Sequence, residues 1–74
     1  MIPKECQDLI NLSLDMALKT DHDEISKANL DRVSGMLNYA LQSGDIQPIT
    51  HASEWARIDL IRALRDKRKN AARI

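Results

Sequence analysis

Apolar residues recur along this chain at the spacing of helix faces, in three blocks separated by short polar breaks. The first block begins at Pro3, a residue suited to opening a helix because it has no amide hydrogen to leave unsatisfied. At about 100° per residue, Ile2, Cys6, Leu9, Ile10, Leu12, Met16 and Ala17 share one broad face. Lys4, Asp8, Asn11, Asp15 and Lys19 lie opposite, and Asp15 with Lys19 forms a favourably oriented i,i+4 pair. Leu14 and Leu18 fall outside the main face as a second stripe. A helix apolar over so much of its circumference is expected to touch two neighbours.

The polar string Thr20-Asp21-His22-Asp23 interrupts the pattern. Asp21 or Asp23 is placed to cap a second helix, and Asp21 with Glu24 has capping-box spacing. In that helix Ile25, Leu30, Val33, Met36, Leu37, Ala40 and Leu41 make a core face with Asn29 embedded in it. Gly35, a weak helix former, predicts close approach of another helix beside Ala28 and Tyr39. Ser43-Gly44-Asp45 ends the helix, with Gly44 in the left-handed position after its last turn. Gln47-Pro48 is expected to stay extended, with Ile46 and Ile49 tucked beneath it. Thr50 or Ser53 then caps a third helix whose core face is Ala52, Ala56, Leu60, Ala63 and Leu64. The one apolar alternation, Ile46 to Ile49, contains Pro48 and is discarded as a strand.

The expected fold is therefore a single all-α domain over residues 1–74. Its helices fall at about 3–19, 23–42 and 51–70. They form a three-helix bundle, or a helical hairpin plus a basic C-terminal helix. Composition adds a reason to look for a partner. With one Trp, one Tyr and no Phe, the core rests on Leu, Ile, Met and Ala. Small domains with few residues to bury are often completed by disulfides, metals or self-association. Cys6 is the only cysteine, so no internal disulfide is possible. A homodimer is expected on that ground. No signal-like apolar run opens the chain and no stretch approaches a bilayer span, so a cytoplasmic location without a membrane span is expected.

The zero net charge conceals a division. Residues 1–53 carry four bases against eight acids, and residues 54–74 carry seven bases against three. Trp55, Ile58, Arg62, Arg65, Lys69 and Arg73 follow one another at helical spacing, giving an aromatic and an aliphatic residue followed by cations. That face is a candidate for partner or nucleic-acid contact, with Trp55 as a stacking anchor. Against it, basic residues near a helix C-terminus also favour the helix itself. Leu14, Leu18, Gly35 and Tyr39 are candidates for self-association.

Catalytic chemistry finds little to work with. There is no Gly-rich phosphate loop, and His22 and His51 sit at breaks or helix starts. Cys6 lies on an apolar face, where a thiol behaves as a small hydrophobe. Asp21-His22-Asp23-Glu24 is the most metal-like string, but Ile25 breaks the alternation a calcium loop needs, and a zinc site lacks a second cluster. No catalytic, cofactor or metal residues are assigned. Residues Leu9 to Asp45, especially Ala17-Leu18-Lys19 through Ile25-Ser26 to Leu37 and Leu41, resemble small enterobacterial biofilm and acid-resistance regulators. That resemblance implies two helices around a short polar turn, working by protein contact, and it leaves the basic third helix uncovered. The expectation is a non-enzymatic helical adaptor, inhibitor or regulator of the kind microbes and phages use, acting by protein–protein contact. The alternative is a nucleic-acid-binding regulator using the basic helix.

Overall fold

The expected helices pack as a three-helix bundle, but two of them turn faces inward that their apolar spacing does not single out. A computed structural model describes residues 3–72, placing Ile2 and Arg73 outside the described residues. Helix α1 spans Lys4–Lys19, α2 Asp23–Gln42 and α3 Pro48–Ala72, and each packs against the other two. The core holds Ile10, Leu14 and Ala17 from α1 and Leu30, Val33 and Leu37 from α2. Ile46 from the linker and Ile58 and Ile61 from α3 complete it.

Helix α1 corrects the expected face. Ile10, Ser13, Leu14 and Ala17 are buried, whereas Cys6, Leu9, Leu12 and Met16 are exposed. The two-neighbour expectation explains the shift, because the side facing both α2 and α3 runs through Ile10, Leu14 and Ala17. Leu14 and Leu18, the candidate self-association stripe, therefore belong to the monomer: Leu14 is in the core and Leu18 packs against it. Small Ser13 and Ala17 let α2 approach closely enough for Ser26 Oγ to donate to the Ala17 carbonyl at 2.7 Å.

Helix α2 keeps most of its expected face, with Ile25 exposed instead of buried. Buried Asn29 is satisfied by donating from Nδ2 to the Ile25 carbonyl at 2.8 Å. The capping box does not form. His22 is the residue before the helix, and the Thr20 hydroxyl accepts from its amide. Gly35 has open space where a Cβ would stand, so no neighbouring helix explains it. At the other end the expected stop is realised. Gly44 adopts φ +77°, with Gly44 N donating to the Leu41 carbonyl and Asp45 N to that of Ala40. Those two bonds make a Schellman ending, and they deliver Ile46 into the core.

Helix α3 begins earlier than expected, at Pro48, whose ring suits a first helical turn. Thr50 and Ser53 lie within the helix and do not precede it, and Ser53 Oγ bonds back to the Ile49 carbonyl. Ile49 is exposed and not tucked in. The inward face is Ile58, Ile61 and Arg65, with Trp55 packed against the core. The expected core positions Ala52, Ala56, Leu60, Ala63 and Leu64 are all exposed. β-Branched Ile58 is 0 % exposed while Leu60 is 58 % exposed, so the helix is rotated by roughly half a turn from the alanine-rich reading.

Candidate functional site

Helix α3's cations were the leading candidates, and their geometry is largely internal. Arg65 is only 8 % exposed and reaches the corner where α1 turns into α2. Its Nη1 donates to the carbonyls of Ala17 at 3.0 Å and Thr20, with Leu18 at the edge of bonding range. Its Nη2 donates to Asp23 Oδ1 at 2.9 Å. A helix leaves its last carbonyls without intrahelical partners, and here a guanidinium from another helix supplies those donors. Arg68 adds a bond to the Thr20 carbonyl at 3.2 Å, and Lys69 pairs with Asp23 Oδ2 at 2.6 Å. Three cations one to four residues apart thus clamp one corner.

The clamp leaves an electrostatic signature. The Lys69 and then the Arg65 hydrogen bonds hold the Asp23 carboxyl below the usual carboxylate range, against a smaller upward push from desolvation. A depressed carboxylate pKa contributes stability that is present above the unfolded value, here 3.8, and is lost as pH falls through the folded value. The melting temperature of the wild type is therefore expected to fall on acidification below about pH 4. Asp23→Asn is expected to melt lower at neutral pH and to show a smaller acid-induced drop. Equal acid losses in the two proteins, followed by circular dichroism, would remove Asp23 from the linkage.

The remaining members of the predicted contact face are scattered. Ile58 is in the core. Trp55 is half-buried, donating from Nε1 to His51 Nε2 at 2.9 Å, while the Asn38 amide oxygen lies 2.8 Å from the same imidazole nitrogen. That nitrogen serves one of the two at a time, accepting from Trp55 within α3 when unprotonated or donating to Asn38 on α2 when protonated, and only the second bond ties α3 to α2. Arg62 is exposed and lies 3.7 Å from Asp59, and Arg73 is outside the described residues. Arg57, not singled out from sequence, bridges Glu54 at 2.8 Å and Asn11 at 3.0 Å on α1. Among the described residues no group of His, Cys, Asp and Glu is arranged to hold a metal ion. No described helix is long and apolar enough to cross a membrane.

The fold also leaves an apolar surface uncovered. At about 100° per residue, Glu5, Leu9, Leu12 and Met16 occupy one narrow arc of α1, and Ile25, Arg32, Met36 and Tyr39 one arc of α2. Each arc borders the α1–α2 seam on the side away from α3. Leu9, Leu12, Met16, Ile25 and Tyr39 are exposed, Leu12 at 56 % and Tyr39 at 72 %. At one end of this face a recess of about 250 Å³ opens between Cys6, Ile10, Met36, Leu37, Tyr39 and Ala40. Of the sequence's self-association candidates, Tyr39 belongs to this surface and exposed Gly35 lies at its margin. A smaller stripe, Ile49, Leu60 and Leu64 with intervening alanines, runs along the back of α3. Leu9, Leu12 and Met16 were missed because their hydrophobicity assigned them to the core, and periodicity alone does not say which of two apolar arcs faces inward.

Comparison with protein-family models, with curated proteins and with solved structures finds no match. The resemblance of residues 9–45 to biofilm and acid-resistance regulators gains no support from these comparisons.

Proposed function

We propose that this protein is a non-enzymatic interaction module that works by protein–protein contact, using the outer face of α1 and α2. The observation that carries the reading is the grouping of Leu9, Leu12, Met16, Ile25 and Tyr39 as exposed side chains on one side of the bundle. Contiguous apolar surface on a small soluble domain marks an interaction site, whereas isolated exposed apolar residues need no explanation. Methionines at Met16 and Met36 suit such a surface, since a flexible thioether adapts to the shape it meets. The nucleic-acid alternative draws on cations of α3, and three of these, Arg65, Arg68 and Lys69, already have acceptors at the α1–α2 corner.

A photo-crosslinking amino acid placed at Leu12 tests the reading in cells, with the same group at Leu60 as the control. A discrete protein adduct from position 12, lost on adding Tyr39→Glu, is expected. A second arm follows Trp55 fluorescence during titration with duplex and single-stranded DNA at low salt, where no saturable change is expected. Absence of any adduct at position 12, together with salt-sensitive DNA binding lost in Arg62→Ala/Lys67→Ala, would transfer the function to the nucleic-acid reading.

A further inference from the structure

Resting on the contact reading above, we propose that the occupant of the α1–α2 face is a second copy of the same face, giving a two-fold symmetric dimer. Helix α1 has 16 residues and α2 has 20, so side by side they present a face about 25–30 Å long and about 20 Å wide. Once side-chain relief is counted, that is comparable to the roughly 800 Å² per partner of a standard stable interface.

Within the two arcs stand one acid, Glu5, and one base, Arg32, and neither forms an ion pair among the described residues. A partner of strongly acidic or basic surface would find no matching field here. A second copy does, because in a two-fold interface a contact from Glu5 of one copy to Arg32 of the other is made twice. The chain's net charge of zero also leaves no overall repulsion between copies.

The recess under Tyr39 has buried Ile10 and Leu37 in its walls, with Asp45 also lining it, and a volume of about 250 Å³, room for a side chain from the opposing copy that sets its apolar part against Ile10 and Leu37. Tyr39, on its lip, combines an apolar ring with a polar tip, a character enriched at interfaces. The back of α3 is the competing surface. Its stripe is narrower, interrupted by alanines, and carries the exposed base Lys67, which two copies would bring together.

Sedimentation equilibrium of the full chain from micromolar to millimolar concentration tests the assignment. The wild type is expected at twice its 8.4 kDa mass. Leu12→Glu and Tyr39→Glu are each expected to weaken association by about tenfold or more, since each places a charge at the centre or the lip of an apolar contact. Both positions are exposed, so far-UV circular dichroism is expected to be unchanged, and whichever variant folds serves the test. Leu60→Glu is expected to associate as the wild type does. A wild type that stays monomeric at millimolar concentration overturns the proposal, as does a dimer broken by Leu60→Glu and indifferent to Leu12→Glu. If that monomer still gives a foreign-protein adduct from position 12, the contact reading stands and only the second copy is refuted. If it gives none, both fall.

Discussion

Replacing Arg65 by alanine is expected to lower the stability of the folded chain by about 3 kcal/mol, the size of removing a largely buried charged donor from its acceptors. Arg65 is 8 % exposed, and its guanidinium serves the carbonyls of Ala17 and Thr20, which lie where α1 has no further amides to offer them. Ala17 keeps the Ser26 hydroxyl, but the Arg65 bond goes, and the cavity left by the side chain adds to the loss. A core this small rarely supplies more than about 3–5 kcal/mol, so the variant is expected to retain no more than about 2 kcal/mol. Lys at the same position keeps a charge and lacks the planar fork, so it is expected to recover only part of the loss. Urea denaturation followed by circular dichroism measures both. A loss below about 1 kcal/mol for Arg65→Ala would show that the clamp is an ordinary surface pair.

The second large effect separates two faces of α3. Ile58→Ala is expected to cost about 2–5 kcal/mol, because a fully buried side chain loses its transfer free energy and leaves a cavity. Leu60→Ala, two residues away and 58 % exposed, is expected to change stability by no more than about 0.5 kcal/mol. The pair is informative because the alanine-rich reading of the helix assigns them the other way round. Equal costs, or a larger one at Leu60, would place the alanine face inward after all.

These two effects also show how far the sequence could be read. Three helices and their breaks were legible, since period, Gly44 and the polar strings act locally. The Gly44 ending was foreseen in its left-handed residue, and the helix limits moved by a few residues at most. Which face of α1 and α3 turned inward was not legible. Both helices carry two apolar arcs, and the choice depended on residues that a hydrophobic pattern counts against burial. Ser13 and Ser26 are buried because their small size allows close helix contact, and Ser26 finds the Ala17 carbonyl. Arg65 is buried because a corner more than forty residues earlier in the chain offers it acceptors, a relation without local signal. The candidate contact face was partly visible for the same reason. Tyr39 stood out as a large residue off the α2 core arc, while Leu9, Leu12 and Met16 were mistaken for core.

Arg65 lies inside the bundle, so that the basic helix is held to the α1–α2 corner and the outer face of those helices is left uncovered. Side-chain NMR of the full chain tests this directly. The Arg65 guanidinium is predicted to give slowly exchanging proton signals with cross-peaks to Ala17 and Thr20, and the Ile58 methyls cross-peaks to core leucines. An Arg65 guanidinium exchanging as fast as that of Arg62, without cross-peaks to either residue, would contradict it.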